Sequence, residues 1–124
     1  MEQSTPKIAF EDQRGEIIDL VQNEEINAVT ILTFKKGAVR GNHYHKATIQ
    51  WNYLISGKIK ILSQLQDEDI VESTLLPGDL LVAVANEKHA LMGLEESVLL
   101  VLTKGPRGGK EYENDTFRLD NPLI

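Results

Sequence analysis

The sequence contains no cysteine, no surplus of basic residues and no long apolar run. Without cysteine the chain can form no disulfide, no thiolate metal site and no cysteine nucleophile. Its 13 Lys and Arg against 19 Asp and Glu give a net charge of −6, which argues against a nucleic-acid partner but leaves small anionic ligands open. Apolar stretches such as 80–85 are far too short to cross a bilayer, so we expect no membrane partner. Residues 1–6 lack the basic and apolar regions of a signal peptide, which favours a cytoplasmic protein.

Short runs rich in Val, Ile, Leu and Thr, separated by turn residues, make up most of the chain. They predict strands at 16–21, 28–34, 48–56, 58–64, 70–76, 80–85 and 97–103. Strands of this length and spacing indicate an all-β sandwich or barrel, and 124 residues with 41% hydrophobic content suit a single domain. We expect the barrel core at about 8–103. Residues 104–124 are expected to form an extended tail that packs on the barrel or on a second subunit.

Two histidines in the middle of the chain are the first candidate functional residues. His43 and His45 are two positions apart, so on a strand both imidazoles point to one face and Tyr44 to the other. Two such histidines can bind a metal, act as an acid/base pair or hold an anion. By the same alternation Gln50 and Asn52 share one face, whereas Trp51 and Tyr53 occupy the opposite face.

The histidine pair belongs to a longer pattern. It reads G-x5-H-x-H-x4-Q-x6-G and is formed by Gly37, His43, His45, Gln50 and Gly57. Further along, a Pro-Gly-Asp turn at 77–79 precedes an apolar strand and then His89. On these residues, from about 37 to 93, the chain resembles the cupin superfamily. The resemblance implies a double-stranded β-helix, or jelly-roll, barrel.

Metal-binding cupins are one expectation that this resemblance raises. It implies a divalent transition metal (Fe, Mn, Ni or Zn) held by His43, His45, Gln50 and His89. However, Gln50 stands where the superfamily usually has glutamate, and Val84, Asn86 and Gly93 replace the usual proline, glycine and asparagine of the second motif. Three neutral histidines and an amide hold a divalent cation less well than three histidines and a carboxylate.

A narrower resemblance is to the nucleotide-sugar 3,4-ketoisomerases, small dimeric cupins that rearrange a thymidine-diphosphate-linked keto-deoxysugar without a metal. It rests on the segment DQRGEI at 12–17, the segment RGNHYHK at 40–46 and glutamine at position 50. It implies that the chemistry is carried out by His43, His45 and Arg40. We place the substrate-binding residues at Gln50, Asn52, Arg14 and His89, and we expect no required cofactor.

The residues suit this chemistry. Moving a carbonyl along a sugar needs a base to remove a proton beside it and an acid to return one, and histidine, with an unperturbed pKa of about 6.5, can do either. Arg40 could stabilise an oxyanion or hold a phosphate oxygen, and Gln50 could orient a histidine or a sugar hydroxyl. No Asp or Glu occupies a clear pocket position, which argues against glycoside hydrolysis.

Three functional hypotheses follow. The first is a metal-free isomerase or epimerase of a nucleotide-linked sugar, the second a metal cupin such as an oxygenase, and the third a non-catalytic barrel that only binds a small molecule. A homodimer is expected because open sheet edges pair across a two-fold axis. The tail residues Lys104, Arg107 and Lys110 could meet a phosphate, but solvated side chains are the favoured interpretation.

Overall fold

The structure is a computed structural model that describes residues 1–108 and 110–124 in full. Residue 109 is described only by its backbone, as the first position of a helix. The strands are β1 Glu2–Ser4, β2 Ile8–Asp12, β3 Gly15–Ile18, β4 Ala28–Phe34, β5 Val39–Tyr44, β6 Ile49–Ser56, β7 Ile59–Leu65, β8 Val71–Leu75, β9 Leu80–Ala83, β10 Glu87–Gly93, β11 Ser97–Lys104 and β12 Phe117–Arg118, and the helix is α1 Gly109–Asn114. Among the described residues, no helix has both the length and the apolar character that a membrane span requires.

Two five-stranded antiparallel sheets form the domain. Their strand orders are β1-β9-β6-β11-β4 and β12-β5-β10-β7-β8, so most neighbours in space are distant in sequence, as in a jelly roll. The strands β2 and β3 form a separate hairpin that pairs with neither sheet. The predicted all-β class therefore holds, and the strand predicted at 28–34 coincides with β4.

Alternation of side chains along the strands builds the core between the sheets. Buried and less buried positions alternate over residues 49–54 of β6 and throughout β11, which is the period of a strand with one face inward. The core cluster includes the fully buried Leu54, Ile59, Ile61 and Leu99. Each such side chain stabilises the fold by about 1.5–3 kcal/mol through burial.

The C-terminal tail differs from the extended segment that the sequence predicts. Residues 109–114 form α1, and β12 adds to the outer edge of β5. A six-residue helix is too short to show periodicity and is unstable alone. Here it is held by tertiary contacts, including the hydrogen bonds of Asp115 with residues 46–48. At the other end, β1 pairs with β9, so strand pairing extends beyond the predicted 8–103 core.

A glycine at the end of β6 provides a stability prediction. Gly57 has φ +96°, and a Cβ there would lie 2.5 Å from the carbonyl oxygen of Glu96 and 2.6 Å from Cα of Ser97. Gly57→Ala should therefore lower the free energy of unfolding by about 3–5 kcal/mol, from left-handed backbone strain plus a backbone clash. Gly78 has a similar φ of +93° with nothing within 4 Å, so Gly78→Ala should cost only about 1–2 kcal/mol. Urea unfolding of both variants measures the difference, and equal losses would contradict the clash.

Candidate active site

A cavity of about 400 Å³ lies between the two sheets. Its walls come from β4, β6, β9 and β11 of one sheet, from β5 and β10 of the other, and from the C-terminal tail. The polar and charged lining residues are Arg40, His43, Gln50, Asn52, His89, Arg107, Tyr112 and Arg118. The apolar wall includes Phe34, Leu91, Leu99 and Val101, which also belong to the core cluster, so the core ends at this cavity.

The structure brings the three predicted histidines together. His43 on β5 is the register partner of His89 on β10, and their ring centroids lie 4.7 Å apart. His45, just past the end of β5, lies 4.7 Å from His43 and 5.7 Å from His89 by ring centroids. One nitrogen from each ring lies within 4.8 Å of the others. Of the three, His43 and His89 line the cavity, whereas His45 is buried behind them with 2% exposure.

Backbone carbonyls fix the tautomers of two of these rings. Nδ1 of His45 lies 2.8 Å from the carbonyl oxygen of Asp115, and Nδ1 of His89 lies 3.2 Å from that of Glu87. Because a carbonyl only accepts, each Nδ1 carries the proton and donates it, which leaves each Nε2 with a free lone pair. Nε2 of His45 is buried with no hydrogen-bond partner among the described residues. The ring therefore presents an unused acceptor beside the cavity.

Burial keeps two of the histidines neutral near neutral pH. Burial, followed by the neighbouring His45 and Arg118, lowers the pKa of His43 to about 4, while Glu113 acts weakly in the opposite direction. Burial and the two other histidines lower the pKa of His89 to about 3. Both rings are therefore proton acceptors in the resting protein, and neither is a ready acid.

Asp115, which follows α1, holds the turn after His45 through hydrogen bonds. Its carboxylate accepts hydrogen bonds from the N–H groups of Lys46 and Ala47 and, at 2.6 Å, from the hydroxyl of Thr48. Burial alone would raise the pKa of Asp115, but these hydrogen bonds outweigh it and lower the pKa. One residue of the tail thus holds both the ring of His45 and the loop beyond it.

The two predicted amides line the cavity. The side chain of Gln50 donates to the hydroxyl of Thr103 at 3.4 Å. The side chain of Asn52 donates to the backbone carbonyls of Gln50 and Leu81 at 3.3 and 3.2 Å. Both side chains are buried, whereas Trp51 is only half-buried, as the predicted alternation requires. These bonds hold the two amides in fixed positions at the wall.

The two predicted arginines differ in position. Arg40 lines the cavity mouth, with its guanidinium donating to the carbonyl of Thr33 at 3.0 and 3.3 Å and lying 5.3 Å from the ring centroid of Phe34. Arg14 does not line the cavity. It sits in the turn of the β2–β3 hairpin and pairs with Asp12 at 2.6 Å. Within this single chain the structure does not bring Arg14 to the cavity, because its guanidinium pairs locally with Asp12 in the hairpin turn. Its role as a substrate-binding residue stays a prediction.

Sequence reasoning missed four residues of the site region. Tyr112 and Arg118 line the cavity, and Arg107, which we expected to be solvated, lines it as well. The helix and strand that carry Tyr112 and Arg118 are too short to be recognised from a pattern. Glu87 is buried, faces inward with His89, and pairs with the α-ammonium of Met1. Its spacing of two from His89 is the alternation signal that could have revealed it.

Comparisons with known proteins relate this chain to proteins that act on sugars and polysaccharides. Residues 10–102 match the family model described as "Polysaccharide biosynthesis C-terminal domain". The "Pectin degradation protein KdgF" of Dickeya dadantii is 32% identical over 74 residues, which span 60% of this chain and 63% of that protein. The chain thus matches less than two thirds of the length of this curated relative.

Solved structures show the same fold. The 3,4-ketoisomerase QdtA from Thermoanaerobacterium thermosaccharolyticum, a double mutant in complex with TDP, is similar with a TM-score of 0.74 and 26% identity, covering 94% of this chain and 86% of that chain. A 3,4-ketoisomerase from Helicobacter canadensis has a TM-score of 0.77 and 23% identity, covering 95% and 91%. The predicted cupin-type fold and the resemblance to nucleotide-sugar 3,4-ketoisomerases are therefore confirmed.

Proposed function

Because the chain belongs to the polysaccharide biosynthesis C-terminal domain family, we propose that it is an isomerase that moves the carbonyl of a nucleotide-linked keto-deoxysugar. The observation on which this proposal rests is that His43 is neutral and lines the cavity wall. The rings of His45 and His89 lie next to it, and Arg40 lies at the cavity mouth. The similarity to a ketoisomerase at 26% identity supports the same reaction class.

His43 is the base in this mechanism. Its imidazole takes the proton from the carbon beside the carbonyl, and the guanidinium of Arg40 stabilises the enolate oxygen that forms. The hydroxyl proton moves to the former carbonyl oxygen, and the imidazolium returns a proton to the former carbonyl carbon. The carbonyl thereby shifts by one position with no net oxidation or reduction. Burial assists the second step, since a desolvated imidazolium gives up its proton readily.

The experiment uses TDP-4-keto-6-deoxyglucose, the ligand seen in one ketoisomerase structure. Chelator-treated protein and substrate are mixed in D2O and followed by proton NMR. We expect a new keto-sugar with deuterium at the former carbonyl carbon, because the N–H of the His43 imidazolium exchanges with solvent at the cavity before it returns a proton. Deuterium exchange without rearrangement would support the base but contradict the isomerase. Binding without exchange or turnover would favour a non-catalytic binding barrel, the third hypothesis.

Metal binding is a second candidate function, favoured by one observation. Nε2 of His45 is a buried acceptor without a partner, and it lies close to His43 and His89. A divalent Fe, Mn, Ni or Zn ion would fit these three nitrogens, with the carbonyl oxygen of Gln50 as a fourth ligand, and would polarise a bound carbonyl as a Lewis acid. Elemental analysis of untagged protein tests this candidate. A near-stoichiometric metal that His45→Ala abolishes would favour it over the metal-free isomerase.

A homodimer is the proposed assembly. The hairpin exposes Phe10 and Ile17 at 52% and 56%, and the edge strand β4 exposes Val29 at 64%. Apolar side chains on an isolated hairpin and on a free sheet edge suit a second copy of the chain, which would cover both. Sedimentation velocity at micromolar concentration should give twice the 13.9 kDa chain mass. Ile17→Asp should shift the protein to monomer, and a wild-type monomer would contradict the assembly.

A further inference from the structure

We propose that Arg107 and Arg118 of the C-terminal tail are the anion-binding side chains of a site for the phosphoryl groups of the ligand. This proposal rests on the proposed function for the identity of the ligand, but its anion chemistry is tested separately below. Both arginines line the cavity.

The position of Arg118 follows from strand pairing. Strand β12 pairs with β5 so that Arg118 is the register partner of His43. Cross-strand partners in an antiparallel pair project to the same face, so the side chains of Arg118 and His43 leave the sheet on the same side. The positive charge of Arg118 is one of the causes that lower the pKa of His43, which agrees with this proximity. A group bound at Arg118 is therefore next to the base.

Arg107 approaches the cavity from the start of the tail. Its guanidinium lies 4.4 Å from the ring centroid of Tyr112, and that ring lies 5.3 Å from His45. Stacking on an aromatic ring orients a guanidinium without neutralising its charge. Within residues 1–108 and 110–124, no carboxylate forms an ion pair with Arg107. This arginine is thus held in place with its charge available.

The three cavity guanidiniums indicate the class of ligand. Arg40 is held by a carbonyl and an aromatic ring, and Arg107 by an aromatic ring, so both keep their charge in a chain of net charge −6. Guanidinium groups bind phosphoryl oxygens through paired, charge-assisted hydrogen bonds. Since the proposed mechanism assigns Arg40 to the enolate oxygen, Arg107 and Arg118 remain for the anion of the ligand, and two guanidiniums match the two phosphoryl groups of a diphosphate. The site therefore suits a diphosphate whose attached sugar reaches His43.

An internal carboxylate competes for this site. Glu113 on α1 accepts two hydrogen bonds from the guanidinium of Arg118, both at 3.1 Å. A phosphoryl group arriving at Arg118 must share or displace this partner. Removing the charge of Glu113 should therefore strengthen anion binding, although it also removes a surface ion pair. A purely structural role for the pair would give no such gain.

The test measures binding of inorganic pyrophosphate and of TDP by isothermal titration calorimetry at low salt. Arg107→Gln and Arg118→Gln should each weaken both ligands by about tenfold or more, the usual scale for a charge-assisted hydrogen bond. Glu113→Gln should tighten both by several-fold. Lys110→Gln is the matched control, because it removes a charge from an exposed position of the same helix that does not line the cavity. Its affinity should stay near that of the wild type.

The outcomes separate this proposal from the proposed function. Absence of saturable pyrophosphate and TDP binding to the wild type would overturn the proposal. So would unchanged affinity in both arginine variants, or an equal loss in Lys110→Gln. If the keto-sugar is rearranged with an unchanged KM in both arginine variants, the tail site is wrong and the isomerase stands. If the arginines bind pyrophosphate but no keto-sugar is rearranged, the tail site stands and the isomerase is wrong.

Discussion

His43→Ala should reduce turnover of the keto-sugar by at least about a thousandfold, within the range that a positioned acid/base residue contributes. His43 combines an exposed edge on the cavity wall with a pKa lowered to about 4, whereas His45 is buried and does not line the cavity. The fold should survive the change, because the cavity can admit water where the ring is lost. We expect the free energy of unfolding to stay within about 1 kcal/mol of the wild type.

The measurement is kcat/KM by the NMR assay, with urea unfolding of the same samples. Tyr44→Phe is the matched control. Tyr44 is the neighbour of His43 on the same strand, but its ring stacks on Phe117 at 5.2 Å and does not line the cavity. That variant should keep wild-type turnover. Wild-type kcat/KM in His43→Ala would refute the base assignment, and loss of folding in that variant would contradict the stability expected here.

The second large effect is a loss of stability of the metal-free protein between about pH 6.5 and pH 4. The folded-state pKa values of His43 and His89 lie near 4 and 3, below the unfolded value of about 6.5. In this window the two histidines bind protons in the unfolded chain but not in the folded chain, so the free energy of unfolding falls as the pH falls. The limiting slope is about 1.4 kcal/mol per pH unit for each histidine, and the more exposed His43 contributes less.

Urea unfolding at a series of pH values in the presence of a chelator measures this slope. His89→Asn should remove the larger share of it. Asp115 also loses stabilisation on acidification, because its pKa is lowered in the folded state, but its share disappears only below its unfolded pKa near 3.8. The histidine window is therefore free of that carboxylate. A flat stability profile between pH 6.5 and 4.5 would contradict the burial of these rings as neutral groups.

The features with a regular period or fixed spacing could be predicted from the sequence. A run of Val, Ile, Leu and Thr predicted β4 to the residue, and alternation placed Gln50 and Asn52 on one face, because a strand repeats every two residues. The spacing of His43, His45 and His89 matched a known motif, and the structure brings their rings together. Their catalytic roles stay predictions.

The features that depend on tertiary contacts could not be predicted. α1 and β12 are too short to carry a periodic signal, so Tyr112 and Arg118 had no pattern to mark them. Arg14 matched a motif, yet its charge is satisfied by Asp12 within the same turn, which spacing alone does not reveal. Glu87 was overlooked because the strand β10 was not recognised upstream of His89.

The pairing of β12 with β5 determines the order in which the site can form during synthesis. A nascent chain that has emerged only as far as β11 contains all three histidines, but β5 is then an unprotected edge and His45 lacks the carbonyl of Asp115. The imidazole can still exchange tautomers at that stage, and the cavity lacks one side of its mouth. The tautomer of His45 and one side of the cavity are therefore fixed only once the tail has docked on β5.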